Sequence, residues 1–285
     1  MATTTSTLSA PPDLPIHVIA PANGWVPIRL REIWEYRELL YFLVWREVKI
    51  RYKQTALGVA WAIIQPLFTM VVFTVVFSRF GKMPSDGIPY PVFSYCALLP
   101  WQLFAFALTE SSNSVVANQR LLTKVYFPRL IMPMASVCVG LVDFSVSFVV
   151  LIGLMIYYGI TPGVALATIP LWALLAVVTA LAVGLWLSAM NVKYRDIKYT
   201  LPFLTQIWMF ATPVAYSISI VSPSWRPLYA LNPMVGVVQG FRWALLGTGG
   251  GSAGTVAASV GVVLVLLVSG LFYFRRMERT FADIV

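Results

Sequence analysis

Long stretches of this chain carry no charge. Residues 54–78, 87–109, 144–192, 199–225 and 243–274 contain no Asp, Glu, Lys or Arg. A helix crosses the hydrocarbon core of a bilayer with about 20 mostly apolar residues, because it satisfies every backbone group internally. The stretch 144–192 is too long for one crossing, and Gly159-Ile160-Thr161-Pro162-Gly163 divides it. In the second stretch the apolar pattern continues past Glu110 to about Asn118. Six spans are expected, near 57–78, 91–117, 133–158, 164–190, 200–220 and 255–274. Composition excludes the rivals: 59% of the 285 residues are hydrophobic and only 11% charged. A soluble domain carries about 25% charged residues, and disordered chains are poorer still in apolar ones. The expected fold is therefore an all-α integral membrane protein.

The basic residues test this partition, since Lys and Arg accumulate in cytoplasmic loops. With the N-terminus in the cytoplasm, 16 of the 20 basic residues fall inside; Arg79, Lys82, Arg226 and Arg242 fall outside. Both termini are then cytoplasmic. The net charge of +9 is explained by insertion, and nucleic acid is the weakest partner it suggests.

The remaining segments divide by composition. Residues 1–28 are rich in Thr, Ser and Pro, show no signal-peptide pattern and are expected to be a disordered leader. Residues 29–53 are too charged to span. At 3.6 residues per turn they place Ile33, Leu40, Tyr41, Val44, Trp45, Val48 and Tyr52 on one side and charged residues on the other. This is the pattern of a cytoplasmic amphipathic helix in the membrane interface, either a plain anchor or an anchor that also presents a surface to a partner. Residues 54–285 form the six-span domain. Within it, the segment 221–254 is largely apolar from Leu228 to Leu246, with Pro227, Asn232-Pro233 and Gly236 interrupting it. Broken, re-entrant or interfacial helices are expected between spans five and six, because irregular backbone at membrane depth survives only inside protein. The glycine-rich run 248–255 lacks the Lys of a phosphate-binding loop and is expected to be a connector.

Little here suggests chemistry within the chain. Cys96 and Cys138 sit in apolar stretches without metal spacing, and the one histidine, His17, lies in the leader. No metal site is expected. Two ionisable residues fall inside spans, Glu110 and Asp143, and such residues are costly enough to be suspects by default. Glu110 either bonds a neighbouring helix or lines a path. Asp143 is either neutral or bonded to Ser145, Ser147 or another helix. Aromatic residues make up 14% of the chain. A glycan offers C–H faces to rings and hydroxyls to polar side chains. Trp101, Gln102, Phe104 and Phe106 in span two suit such a conduit, as do Gln206, Trp208, Phe210, Thr212 and Tyr216 in span five. An interfacial aromatic belt is the other reading, above all for Trp101. Pro202 and Pro213 are expected to kink span five and free carbonyls.

Four motifs bear a resemblance. Arg51-Tyr52-Lys53-Gln54-Thr55-x-Leu57-Gly58-x-x-Trp61 with Gln65-Pro66-Leu67 resembles the opening motif of type-2 ABC exporter permeases for polysaccharides. These are the Wzm-type group that exports O-antigen, with capsule and teichoic-acid relatives. Asn191-Val192-x-Tyr194-Arg195-Asp196-Ile197, Thr212-Pro213-Val214-x-Tyr216 and Leu231-Asn232-Pro233 follow in the same order. The resemblance runs from about Ile28 to the C-terminus and implies a permease subunit in the bacterial cytoplasmic membrane, without catalysis of its own. It implies a homodimer, two separate ABC ATPase subunits that bind ATP and Mg, and a lipid-linked polysaccharide as cargo. Coupling to the ATPases would fall on the interface helix, with Arg46 and Lys49, and on a short helix within Asn118–Arg129, carrying Arg120, Lys124 and Arg129. Those last three equally obey the positive-inside rule. The lipid headgroup would meet Arg51, Tyr52 and Lys53 at the interface. The substrate path would use Trp101, Phe104, Glu110, Trp208, Phe210 and Tyr216. The exit gate would use Asn232, Pro233 and Arg242.

Two other classes compete. An ion-driven flippase normally shows denser intramembrane acids or repeated broken helices. A membrane glycosyl- or acyltransferase needs acids clustered at one interface, whereas Asp86, Glu110 and Asp143 are spread over three places.

Overall fold

The computed structural model describes residues 30–53, 59–122, 124–248, 253–278 and 281. The leader 1–28, the motif residues Gln54, Thr55, Leu57 and Gly58, and residues 249–252 of the connector lie outside the described residues. Among the described residues every regular element is helical. In chain order these are α1 (Leu30–Glu35), α2 (Arg37–Lys53), α3 (Val59–Phe73, continued by a π-helical turn Thr74–Phe80) and α4 (Tyr90–Ala117). There follow α5 (Gln119–Leu122), α6 (Ile131–Tyr157), α7 (Ile169–Lys193, entered through a 3₁₀ turn Val164–Thr168) and α8 (Ile197–Phe210). The last are α9 (Arg226–Ala230), α10 (Pro233–Leu246) and α11 (Ala253–Met277).

Five helices are long and apolar enough to cross a membrane: Ala60–Phe80, Tyr90–Ala117, Ile131–Tyr157, Val164–Lys193 and Ala253–Met277. They coincide with five of the six expected spans. The expected span 200–220 is not one helix. α8 has 14 residues, about 21 Å at 1.5 Å each, short of the hydrocarbon core. It ends at Phe210, so Pro213 lies beyond the helix and does not kink it. The residue before a proline avoids helical backbone, and the proline has no N–H for a continuing turn. Only Pro202 lies inside α8. The interrupted segment that follows carries two helices, α9 and α10.

α4 is the axis of the bundle. Its apolar window is 78% buried, against 17% for the first and last spans. It packs on α7 through small residues: Ala107, Ser111, Ala176, Ala180 and Gly184 are buried. A Cβ on Gly184 would lie 2.5 Å from the Ser111 hydroxyl, so only glycine allows this approach. Asn191 on α7 closes the contact, donating to the Ser112 carbonyl at 3.1 Å and the Asn113 amide oxygen at 3.0 Å. Apolar lipid gives helices no hydrophobic reason to associate, so close packing and such polar links hold the bundle.

The segment 29–53 differs from the single helix expected. A turn at Tyr36 separates α1 from α2. Leu43 is its buried residue and packs with Phe127, Ile131 and Met132, joined by Tyr36, Leu39, Leu40 and Val44. Tyr41 and Trp45, on the face expected to meet the membrane interface, are exposed together with Trp34 and Phe42. The apolar residues of α2 thus divide between a face packed on α6 and an aromatic face that is open.

Gly240 on α10 tests the packing. A Cβ there would lie 2.3 Å from the Trp172 ring. Gly240→Ala is predicted to lower the melting temperature in detergent, with a loss of about 1–3 kcal/mol from overpacking. Gly153→Ala, where no atom lies within 4 Å, is the neutral control.

Candidate functional site

A cavity of about 420 Å³ lies between α3, α4, α6 and α8. Trp61, Gln65 and Thr69 on α3 face Trp101, Gln102 and Phe106 on α4 across it, with Phe144 on α6 and Met209 on α8. The α3 residues recur every four positions, one helical face. Glu110 and Arg51 line this cavity and also a smaller one of about 160 Å³, which runs on to Asn118 and Glu47. The two spaces form one groove along α4, with Arg51, Phe106 and Glu110 at the junction. The walls interleave aromatic rings with polar and charged side chains, among them Gln65, Thr69, Gln102, Glu110 and Asp143.

Arg51 reaches this junction from the end of α2. Its guanidinium pairs with the Asp143 carboxylate at 2.7 Å and sits 4.4 Å above the Phe106 ring centre. The Tyr52 hydroxyl donates to the other Asp143 oxygen. Burial, and then the hydrogen bond and charge of Asp143, hold the Tyr52 hydroxyl above its ordinary pKa against the opposing pull of Arg51. It therefore remains a donor at neutral pH. Asp143 finds its partners on another helix, not in Ser145 or Ser147. Those serines donate to the Leu141 and Ala62 carbonyls. Of the three expected headgroup residues, Arg51 and Tyr52 turn toward Asp143 and Lys53 is exposed.

The expected path residues separate. Trp101 and Glu110 line the cavity. Phe104 is fully buried and packs edge-on to Trp208 at 4.9 Å, so it belongs to the core. The Trp208 indole donates to the Asn232 side chain at 2.9 Å. Phe210 is half exposed. The Tyr216 hydroxyl donates to the Phe210 carbonyl at 3.0 Å and meets the Tyr229 hydroxyl at 3.3 Å. Thr69 and Phe144, with Trp61 and Gln65 of the opening motif, complete the walls without having been expected on the path. The four-residue stripe of Trp61, Gln65 and Thr69 in an otherwise apolar span was the available signal.

The expected gate residues brace a break in the backbone. Asn232 caps α10, accepting from the Met234 N–H at 3.1 Å, and Pro233 occupies the first turn, where its missing N–H costs nothing. The Asn232 amide also donates to the Thr212 hydroxyl at 3.0 Å. Arg242 is buried and donates to three carbonyls of the chain after α8: Pro213 at 2.8 Å, Val214 at 2.9 Å and Tyr216 at 3.1 Å. Its guanidinium lies 3.6 Å from the Phe93 ring centre. The carbonyls freed near Pro213 are thus satisfied by an arginine rather than left to a ligand.

At the other end of the groove, Arg46 donates to the Asn118 side chain at 2.9 Å and pairs with Glu47 at 2.6 Å. Arg46, Arg120 and Lys124 border one depression of about 540 Å³, beside the four-residue helix α5. Lys124 also borders a second, of about 220 Å³, with Arg129. Lys49 is exposed outside both. Exposed Val125 and Tyr126 lie in the same connection and were not singled out.

The chain matches the ABC-2 type transporter family over residues 38–246. It belongs to that family, and is a multi-pass membrane permease. It is 34% identical over 257 residues to the O-antigen export system permease protein RfbA of Myxococcus xanthus, covering 88% of this chain and 98% of the relative. The Klebsiella pneumoniae protein of the same name is 26% identical over 87% of this chain and 95% of its own. The polysialic acid transport protein KpsM of Escherichia coli is 25% identical, over 82% and 91%.

Arg242→Lys is predicted to destabilise the purified protein by about 2 kcal/mol or more, because an ammonium cannot serve three carbonyls in a planar fork. An unchanged thermal midpoint would contradict this role. A double-mutant cycle over Arg51→Gln and Asp143→Asn is expected to return a coupling of about 1 kcal/mol, since Arg51 is partly exposed.

Proposed function

We propose that this chain is the permease subunit of an ATP-driven exporter that moves a lipid-linked, O-antigen-like polysaccharide across the bacterial cytoplasmic membrane. The observation that carries the reading is the groove along α4. Rings of Trp61 and Phe106 offer faces for sugar C–H surfaces, with the edge of Trp101 behind them, and Gln65, Gln102, Thr69 and Glu110 offer partners for hydroxyls. The likeness to O-antigen export permeases over most of both chains supports the same cargo class.

In this reading two copies of the chain enclose the path. Exposed Trp61, Phe68, Phe203 and Ile207 on α3 and α8 supply apolar surface for that contact. α8, the break and the α9–α10 pair together make the sixth passage, with both termini in the cytoplasm. Two separate ABC ATPase subunits, which bind the ATP and Mg, dock at the depression of Arg46, Arg120 and Lys124, with Lys49 and Arg129 at its sides. Lys53 and Arg51 meet the lipid pyrophosphate. The braced segment of Asn232, Pro233 and Arg242 forms the exit. A capsular or teichoic-acid cargo is the second reading, favoured by the KpsM likeness. Ion coupling is less favoured, since Asp143 is already paired with Arg51.

The test is reconstitution of the chain with its ATPase partner in proteoliposomes. Vanadate-sensitive ATP hydrolysis and ATP-dependent glycan export are expected. Trp61→Ala, at a half-exposed position, is expected to cut export about fivefold, for a lost ring contact of roughly 1 kcal/mol. Export that persists without the ATPase, and collapses in the double variant Glu110→Gln, Asp143→Asn, would replace this reading with an ion-driven one.

A further inference from the structure

A second charged cluster lies at the end of the bundle that carries α5, and it joins three segments remote in sequence. Arg275, in the last turn of α11, pairs with Glu278 at 3.1 Å and with Glu32 of α1 at 3.7 Å. The other Glu278 carboxylate oxygen accepts the Arg129 backbone N–H at 3.2 Å. The Arg129 guanidinium donates to the Glu278 carbonyl. The side chains of Arg275 and Glu278 are only 11% and 16% exposed. Beneath them Val115, Leu130, Phe274 and Phe281 form a buried apolar cluster, with Ile33 and Leu122 against it.

One carboxylate therefore holds both the chain end and the connection between α5 and α6. That connection has no regular helix from Lys124 to Leu130; Phe127 and Leu130 anchor its far end in apolar clusters, and the Glu278 contacts add a polar tie at Arg129. Charges shielded from solvent are screened little by salt, and removing one partner strands the others. A loop fixed this way moves with the helices it is tied to.

We infer that Glu278 is a positioning residue for energy coupling. It clamps the α5–α6 connection to α11, and through Arg275 to α1, so that displacement of the connection by a docked ATPase moves these elements as one body. This rests on the ATP-driven reading proposed above. A purely local role, anchoring the chain end, would leave the yield of transport per ATP unchanged.

The experiment uses the full chain with its ATPase partner in proteoliposomes, measuring ATP hydrolysis and glycan export together. Glu278→Gln is expected to keep hydrolysis within about twofold and lower export per ATP by about fivefold or more, the lower range of coupling between sites. Glu278→Asp, which keeps the charge, is expected to recover most of that ratio. An unchanged ratio in Glu278→Gln, or export and hydrolysis falling in proportion, overturns the inference. If Glu278→Gln does not accumulate, the ratio is read from Glu32→Gln, which removes the longer pair. A smaller fall is then expected, and no fall overturns the inference. Absence of ATP-driven export in the unaltered chain would defeat the parent reading instead, before any variant is compared.

Discussion

Backbone that leaves helical form inside an apolar bundle must find hydrogen-bond partners in the protein, because each group left bare costs several kcal/mol. The segment after α8 does this with side chains from three other places. Arg242 takes the carbonyls of Pro213, Val214 and Tyr216. Asn232 reaches the Thr212 hydroxyl and the Ala211 carbonyl. The Tyr90 hydroxyl donates to the Ala215 carbonyl at 2.5 Å. The break is thereby built into the joint between α4, α8 and α10. Arg242 is tolerated in the interior because carbonyl dipoles and the Phe93 ring stand in for water. A gate at this end has to rearrange these bonds as a set.

α4 links that joint to the groove and to the residues beside α5. One side meets α7 through Ala, Ser and Gly, and the approach leaves room for no larger residue. The other side carries Trp101, Gln102, Phe106 and Glu110 along the groove. Close packing on one side makes α4 a rigid rail for the other. At its end, Asn118 is held by Arg46 of α2, so the groove and the depression beside α5 share one helix.

Much of the fold was legible because insertion into lipid leaves a local signature. Absence of charge located five crossings to within a few residues. The segment 200–220 is not the one helix expected there, because a charge-free run reports solvent preference and says nothing of where backbone stays helical. Pro213 was the clue, misread as a kink. The site was less legible. Trp101 and Glu110 line the groove, but Phe104 and Trp208 are core and clasp. Aromatic content alone does not separate a ring that faces a cavity from a ring that fills one. In the interface segment, helical periodicity found the apolar residues of α2 but did not separate Leu43, which packs on α6, from the exposed Tyr41 and Trp45.

The amino-acid sequence by itself determined that the chain lives in a membrane, which segments are apolar enough to cross it, and which motifs place it among ABC-2 permeases. These are properties of neighbouring residues, fixed by hydrophobicity, proline and glycine positions and charge. Only the tertiary structure decided which charges meet. Arg51 finds Asp143, Glu278 finds Arg129 and Arg275, and Arg242 finds carbonyls in place of an acid. Each pairing depends on which helix lies beside which, and that is set by close contacts such as Gly184 against Ser111, which no single segment specifies.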